Sequence, residues 1–462
     1  SQPLTVLSEV RIHALCVDKS SGKIVKDIEL LKKEAPQWVH KTNSYASPTP
    51  ILEAGKLYCQ NGSYGTACLD TQSGKVLWTN QDLWVMHENG PGGSPILWND
   101  LLIFHMDGSD RQFIAALDKR TGRLAWQTRR SGEMNSNSQL KKAYGTPVVT
   151  KVHGRDVVIS PAADWLYGYD PASGEELWKV EYGTLGFSIV PKPVVGDGMV
   201  YIGTSFMRPQ LIAFDITKAK PEIAWASKRS VPAVSSPILV GKEIYFVSDS
   251  GGIVTCLDAK TGKTLWENNY ASSFVAGYGS AAGPRATPAI VGDRVYTMGG
   301  QGIVVCTDFA TGKTVWKVDT QKSYRASDGF FGMACSPLVE GNAVLLNIGG
   351  EAGAGIVALD KNSGKLLWKT LDDEASYSSP VMAKLHGKRR AVFFTRTGLA
   401  VVDPANGKID FQNRWRARIQ ASVNAATPLV VGELIFVTSS YNTGALVVKA
   451  AAGGYKAAWS ND

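Results

Sequence analysis

The chain lacks the sequence features of membrane-spanning proteins, of proteins with covalently attached haem and of small domains stabilised by disulfides. No stretch approaches the roughly 18 consecutive apolar residues that a membrane-spanning helix requires. Cysteine and histidine are scarce, with six of each among 462 residues, and no Cys-x-x-Cys-His pattern for haem attachment occurs. The sequence begins without a signal-peptide pattern, which fits a mature or trimmed form whose targeting segment is absent. What remains is a globular chain whose apolar content of 44% can fill a large core.

One pattern dominates the sequence. In the stretch from Leu257 to Trp266 an apolar residue precedes Asp, Gly follows four positions after the Asp, and Trp follows four positions after the Gly. Complete and weaker copies together number ten, spaced 43 to 52 residues apart. A period of this length indicates a solenoid, a propeller or an array, and its unbroken recurrence predicts a single domain over residues 1–462. The complete copies have their Asp at positions 70, 118, 170, 258, 308 and 360.

Four copies depart from the full pattern, each in a different way. They are the copy at Asp18 with Lys26 in place of Trp, the copy at Asp215 with a longer turn to Trp225, the copy at Asp403 ending in Phe411, and a last copy with Lys449 in place of Asp and an end at Trp459.

Each period contains four short apolar runs separated by turn residues, which is typical of strands. Four antiparallel strands per repeat predict the blade of a β-propeller, in which the Asp and Gly form the hairpin turn before the outermost, Trp-bearing strand. Ser or Thr before Pro marks the innermost strand in eight copies, and Lys192-Pro193 marks it in a ninth. We therefore predict an all-β propeller of four-stranded antiparallel blades, ten by motif count, with an incomplete first blade at residues 1–26.

The same repeat accounts for the net charge of +8 and for most cysteines. The residue after the turn Gly is basic in seven copies, so the charge is expected to be spread as solvated surface and not gathered into a nucleic-acid groove. Cys16, Cys68, Cys256 and Cys306 stand two residues before the motif Asp, where other copies have small residues, and are predicted to be buried small hydrophobes. The sequence is compatible both with a disulfide between Cys59 and Cys68 across a turn and with two free thiols.

The repeated [Ala/Leu]-x-Asp-x-x-[Ser/Thr]-Gly-x-x-x-Trp pattern resembles that of quinoprotein-like propellers, the group named after pyrroloquinoline quinone. The resemblance covers nearly the whole chain and implies a propeller, usually of eight blades. The group includes alcohol and sugar dehydrogenases that hold the quinone and Ca²⁺, and cofactor-free scaffolds such as the propeller lipoprotein of outer-membrane assembly. The adjacent cysteines typical of the dehydrogenases do not occur here, so the resemblance favours the cofactor-free branch. No cofactor or metal is predicted, and pyrroloquinoline quinone with calcium is the alternative.

Function is expected where the copies differ, because residues that recur in every repeat are structural. The loops that enter the inner strands are expected to converge at one mouth. Their large polar side chains are candidates for binding an acidic small molecule, a sugar or a peptide, with Arg285 able to grip a carboxylate through two hydrogen bonds. The alternative is that these polar side chains only close a water-filled funnel and form hydrogen bonds with loop amides. The candidate ligand-binding residues are Tyr45, Tyr144, Lys192, Arg285, Arg325, Asp328, Tyr377 and Asn424.

These observations predict a non-catalytic binding or protein-interaction scaffold of the bacterial cell envelope or the extracellular space, hence periplasmic or extracellular. A partner peptide would add to a strand edge or sit in the axial funnel. The expected partners are a protein, a peptide, or a small acidic or sugar ligand, and not nucleic acid. One alternative is a quinone-dependent alcohol or sugar dehydrogenase with Asp328 as the base. Another is a carbohydrate-binding or carbohydrate-cleaving propeller that stacks sugars on Tyr377 and Trp165.

Overall fold

The computed structural model describes residues 7–18, 23–39, 44–87, 89–185, 189–204, 207–231, 236–248, 253–269, 286–327, 329, 332–419 and 423–461. Within them the chain forms two compact units. The first unit comprises Ser1–Cys16, Val25–Phe246 and Leu257–Thr264, and the second comprises Val17–Ile24, Val247–Cys256 and Leu265–Asp462.

Ten antiparallel sheets follow one another along the described chain, and we number them 1 to 10 in chain order. Sheet 1 has two strands, and each of the other nine has four strands in sequence order, so that one repeat forms one blade. The predicted propeller of four-stranded antiparallel blades is therefore confirmed, and the number of sheets follows the motif count of ten and not the family norm of eight. The two strands of sheet 1 extend to Glu34, eight residues beyond the boundary drawn from the sequence.

The strands of sheets 1 to 5 are β1 (Glu9–Val17) and β2 (Ile24–Glu34); β3 (Ile51–Glu53), β4 (Lys56–Gln60), β5 (Thr66–Asp70) and β6 (Val76–Asn80); β7 (Ile96–Trp98), β8 (Leu101–Asp107), β9 (Gln112–Asp118) and β10 (Leu124–Arg129); β11 (Val148–Val152), β12 (Arg155–Pro161), β13 (Trp165–Tyr169) and β14 (Glu176–Glu181); and β15 (Val194–Gly196), β16 (Met199–Gly203), β17 (Leu211–Asp215) and β18 (Glu222–Ser227). Two 3₁₀ turns, Gly62–Tyr64 and Ser138–Lys141, lie in this part of the chain.

The strands of sheets 6 to 10 are β19 (Ile238–Val240), β20 (Glu243–Val247), β21 (Ile253–Asp258) and β22 (Thr264–Asn269); β23 (Ala289–Val291), β24 (Arg294–Met298), β25 (Ile303–Asp308) and β26 (Thr314–Asp319); β27 (Leu338–Glu340), β28 (Ala343–Gly350), β29 (Ala354–Asp360) and β30 (Leu366–Thr370); β31 (Val381–Leu385), β32 (Lys388–Phe394), β33 (Gly398–Val402) and β34 (Ile409–Arg414); and β35 (Leu429–Val431), β36 (Leu434–Ser439), β37 (Gly444–Ala451) and β38 (Gly454–Asn461). The α-helix of the described chain is α1 (Thr320–Tyr324).

The Asp and Gly of the motif close the hairpin between the third and fourth strands, as predicted. Asp70 Oδ1 accepts hydrogen bonds from both the amide and the hydroxyl of Ser73, each at 2.7 Å. These bonds favour the ionised carboxylate and hold the pKa of Asp70 below its usual value. Gly74 has a φ of +78° and donates its amide to the Asp70 carbonyl at 2.8 Å. The side-chain bonds recur at Asp118, Asp170, Asp258, Asp308 and Asp360.

The motif Trp of one sheet lies on the turn of the next sheet. Trp78 Nε1 donates to the carbonyl of Lys119 at 3.1 Å, and a Cβ added to Gly122 would stand 2.3 Å from the Trp78 ring. The glycine therefore serves two needs, since it adopts a positive φ and leaves room for the indole. The other donations of this kind are Trp126 to Pro171, Trp225 to Ala259, Trp266 to Phe309, Trp316 to Lys361 and Trp368 to Pro404.

Lys26 occupies the place of the missing Trp in the first repeat. Its Nζ donates to the carbonyl of Thr71 at 3.1 Å and to that of Gln72, and its aliphatic stem lies beside Gly74. A lysine can do this because its methylene chain packs on apolar surface while its ammonium group reaches polar atoms. The first repeat therefore contacts the turn of the next sheet although it lacks the Trp, and the sequence did not predict this contact.

The cysteine predictions are confirmed for three of the four motif positions. Cys68, Cys256 and Cys306 are fully buried, but Cys16, in the two-stranded sheet 1, is exposed. Cys59 faces Ala67 across the β4–β5 ladder while Cys68 faces Tyr58. The two cysteines therefore project from opposite faces of the sheet, and both are free thiols. Burial raises the pKa of each to about 11.

Candidate functional site

Two of the candidate residues, Tyr45 and Tyr144, belong to one aromatic cluster in the first unit. The Tyr45 ring meets the edge of Tyr64 at 4.9 Å between centroids, and Tyr64 lies parallel to His87 at 6.4 Å. The Tyr144 hydroxyl donates to the His87 carbonyl at 3.2 Å and accepts from Asn89. The structure thus brings these two tyrosines to one place, where the loops before the inner strands meet.

His87 and Gly62 fix the centre of this cluster. His87 Nε2 accepts a hydrogen bond from the amide of Ser63 at 2.9 Å, and a Cβ on Gly62 would stand 2.2 Å from that nitrogen. Burial lowers the pKa of His87 to about 4, because the charged imidazolium loses its hydration. At neutral pH the ring is uncharged, so it holds the loops in place and supplies no positive charge to a ligand.

A fully buried ion pair lies next to this cluster. Arg130 grips both carboxylate oxygens of Asp107, with Nε to Oδ1 at 3.1 Å and Nη2 to Oδ2 at 2.9 Å. The guanidinium also donates to Ser160 and lies 4.9 Å from the centre of the Tyr167 ring. The sequence did not indicate this buried pair, because Arg130 directly follows a second Arg, and two adjacent arginines are expected to be exposed.

Ser160 and His105 lie within hydrogen-bonding distance but do not form a hydrolytic pair. The Ser160 Oγ stands 3.1 Å from His105 Nδ1, and both side chains are buried. Burial lowers the pKa of His105 to about 4. A serine nucleophile needs an accessible hydroxyl and a base that can accept its proton near neutral pH, so the pair serves the packing of sheets 3 and 4.

In the second unit the structure brings together Tyr377 and Asn424. The amide of Tyr377 donates to the Asn424 carbonyl at 3.0 Å. The Asn424 side chain is buried and donates to the carbonyls of Thr395 at 2.8 Å and Trp415 at 3.0 Å, while its oxygen accepts from Ser439. The side-chain amide of Asn424 is thus engaged with the protein itself, whereas the side chain of Tyr377 is partly exposed.

The remaining candidates do not join these clusters. Lys192 is exposed, and Arg325, with 82% of its side chain exposed, lies 3.4 Å from Glu351. Arg285 and Asp328 lie outside the described residues. The binding role assigned to all eight positions therefore stays a prediction.

Two adjacent carboxylates, Asp373 and Glu374, and the proposed sugar-stacking residue Trp165 have structural partners. Asp373 accepts hydrogen bonds from the amide and hydroxyl of Thr397, and Glu374 pairs with Arg396 at 2.7 Å. Trp165 donates its indole N–H to the carbonyl of Glu133 at 2.9 Å. Among the described residues, no group of three His, Cys, Asp or Glu side chains stands close enough to hold a metal ion. No helix in this part of the chain has the length and apolar character needed to cross a membrane.

Residues 13–268 and 250–462 match the family described as outer membrane protein assembly factor BamB. The chain belongs to this family. Among curated proteins it is similar to BamB of Shewanella oneidensis, with 22% identity over 250 residues covering 49% of this chain and 58% of that protein. It is also similar to BamB of Alteromonas naphthalenivorans, with 23% identity over 246 residues covering 48% of this chain and 55% of that protein. The chain thus spans little more than half the length of these relatives.

A crystal structure of BamB from Moraxella catarrhalis is also similar to this chain. It has 17% sequence identity and a TM-score of 0.43, and the match covers 78% of this chain and 98% of that structure. The family match confirms the prediction that this chain is closer to the propellers of outer-membrane assembly than to the quinone dehydrogenases.

Proposed function

We propose that this protein is a non-catalytic binding scaffold of the bacterial cell envelope that takes part in the assembly of outer membrane proteins. The observation that carries the proposal is the match to the BamB family, whose two segments together reach from residue 13 to residue 462. Its location would be the periplasmic side of the outer membrane, and its partner would be a protein of the assembly machinery or a chain in transit to the membrane.

The chemistry of the described residues supports a scaffold over an enzyme. The two buried histidines, His87 and His105, have pKa values of about 4 and are poor bases at neutral pH. The buried charges of Arg130 and Asp107 neutralise each other. Side chains of this kind hold loops in fixed positions, which suits a surface that displays contacts to another protein.

Site-specific photo-crosslinking in bacterial cells that have an outer membrane tests this proposal. A photoreactive phenylalanine analogue at Tyr144, whose ring is partly exposed in the aromatic cluster, is expected to yield a crosslinked product that mass spectrometry identifies as an outer membrane protein or a component of its assembly machinery. The same analogue at Lys408, an exposed turn position of the repeat, is the matched control and is expected to give less of that product.

A second assay addresses the dehydrogenase alternative. Purified protein is mixed with pyrroloquinoline quinone and Ca²⁺, and the reduction of a dye by alcohols or sugars is followed. Turnover above that of the free quinone, or crosslinks from Tyr144 to soluble proteins alone, would contradict the scaffold proposal.

A further inference from the structure

A small cavity in the first unit borders both the aromatic cluster and the buried ion pair. Its lining includes His87 and Tyr144 of the cluster, Asp107 of the ion pair, and His105. The volume is about 10 Å³, close to the roughly 10–15 Å³ that one water molecule needs. We call it the His105 cavity, after the histidine whose ring faces it.

The hydrogen bonds around Ser160 determine which ring nitrogen of His105 carries the proton. Arg130 Nη2 donates to the Ser160 hydroxyl oxygen at 2.8 Å, because a guanidinium can only donate. In the described part of the chain, the acceptor for the hydroxyl hydrogen of Ser160 is His105 Nδ1, at 3.1 Å. Because the pKa of His105 is about 4, the ring carries a single proton at neutral pH. With Nδ1 as the acceptor, that proton is on Nε2.

The Nε2 hydrogen of His105 is a buried donor. The side chain is 5% exposed, and Nε2 has no hydrogen-bond partner among the described residues. A buried N–H group without an acceptor costs free energy, and buried polar groups are nearly always paired with protein atoms or with ordered water. The donor therefore requires a hydrogen-bond acceptor inside the cavity.

Gly93, which also lines the cavity, leaves space in front of this donor. A Cβ added to Gly93 would stand 3.2 Å from His105 Nε2 and 3.2 Å from the carbonyl oxygen of Gly145. A donor and an acceptor of hydrogen bonds thus lie beside the same point. The amide of Gln60, which is 3% exposed, belongs to the lining as well.

The charges around the cavity favour a neutral ligand over an ion. Arg130 already neutralises Asp107, and the rings of His87 and His105 are uncharged at neutral pH. The Nε2 hydrogen of His105 would repel a cation, and the Asp107 carboxylate would repel an anion. Water is a neutral molecule of the right size that both accepts and donates hydrogen bonds.

We propose that the His105 cavity binds one water molecule. The water accepts the Nε2 hydrogen of His105 and donates to the Gly145 carbonyl or to the Gln60 side chain. His105 lies on β8 of sheet 3, and Gly145 precedes the inner strand of sheet 4. The water therefore joins two neighbouring repeats and holds the loop that carries Tyr144. This inference goes beyond the proposed scaffold function and does not depend on it.

Nuclear magnetic resonance of the full chain, labelled with ¹⁵N in its histidine rings, tests this proposal. The chain has six histidines, so the signals of the His105 ring are identified by their absence in His105→Gln. We expect a protonated Nε2 and an unprotonated Nδ1. We also expect a nuclear Overhauser effect between the Nε2 hydrogen and water, with the sign of a water that stays bound longer than the protein takes to tumble.

The substitution Gly93→Ala tests the position of the water, because its methyl group occupies the space beside Nε2. Alanine suits this place in the chain, since Ala46 and Ala426 also stand two residues before the Pro of their repeats. We expect the variant to lose the Overhauser effect with water. Gly453→Ala is the control, because Gly453 is exposed and an added Cβ there meets no atom within 4 Å. It is expected to keep the effect.

Two measurements on the unchanged protein can overturn the proposal without any substitution at the cavity. A proton on Nδ1 in place of Nε2 would remove the donor, and a missing Overhauser effect with water would remove the ligand. An equal effect in Gly93→Ala and the unchanged protein would also overturn it, because the water would then lie elsewhere.

Discussion

The contact between an indole and the turn of the next sheet predicts a difference between two glycine substitutions. Gly122 and Gly74 occupy the same turn position in neighbouring repeats, with φ of +70° and +78°. An alanine in this left-handed region costs roughly 1–2 kcal/mol at either site. At Gly122 the new methyl group would also stand 2.3 Å from the Trp78 ring, whereas at Gly74 the nearest atoms are flexible ends of Lys26 and Ile28 at 3.1 Å.

The additional loss at Gly122 follows from the burial of Trp78, which is 8% exposed. A tryptophan buries roughly 150–250 Å², worth about 4–6 kcal/mol as an upper bound. If the methyl group displaces about half of that contact, Gly122→Ala loses about 2–3 kcal/mol beyond the backbone term. We expect about 3–5 kcal/mol of unfolding free energy lost for Gly122→Ala and about 1–2 kcal/mol for Gly74→Ala.

Urea unfolding followed by far-ultraviolet circular dichroism gives the two losses. Hydrogen exchange of the Trp78 indole N–H, which donates to Lys119, reports the contact itself and is expected to accelerate in Gly122→Ala and to stay slow in Gly74→Ala. Equal losses in the two variants, with unchanged indole exchange, would show that the glycine is needed for backbone conformation alone and would refute the reasoning.

Three further predictions concern buried groups. Asp107→Asn leaves the Arg130 charge buried without its counter-ion and is expected to lower the unfolding free energy by about 3–5 kcal/mol, which urea titration measures; a loss below 1 kcal/mol would contradict it. His87 and His105 have folded pKa values near 4, below the unfolded value of about 6.5, so the unfolded state binds more protons between these values. The contribution of the two histidines to the unfolding free energy is complete above pH 6.5 and is lost as the pH falls towards 4, by up to about 3 kcal/mol per histidine. His105→Gln is expected to reduce the slope of the measured unfolding free energy against pH. Cys16 is expected to react first with an alkylating reagent at pH 8, since burial raises the pKa of Cys59, Cys68 and Cys306 to about 11; mass spectrometry of the digest identifies the modified residue, and rapid loss of the Cys68 thiol would contradict the burial.

The fold was predictable because its determinants are local and repeated. Asp258, Gly262 and Trp266 stand at fixed spacing, and each acts through a turn or through the next turn along the chain. The Ser or Thr before Pro also acts on a neighbouring repeat, since the Ser336 hydroxyl accepts the amide hydrogen of Thr287 from the preceding inner strand.

The candidate site was less predictable because its partners come from different repeats. The pairing of Arg130 with Asp107 and Ser160 depends on register across two sheets, and nothing near Arg130 in sequence indicates burial. Exposure of Cys16 likewise depends on strands that a single repeat cannot show.

The indole that reaches from one sheet to the turn of the next has a consequence for how this protein could change over evolutionary time. Each such bond joins neighbours along the chain, so the free energy is close to a sum over repeats and their junctions. A gene duplication that inserts one whole repeat after Trp316 creates a new junction of the same kind as the old one. The number of blades can then change by whole repeats, provided that each new junction keeps its glycine, indole and carbonyl.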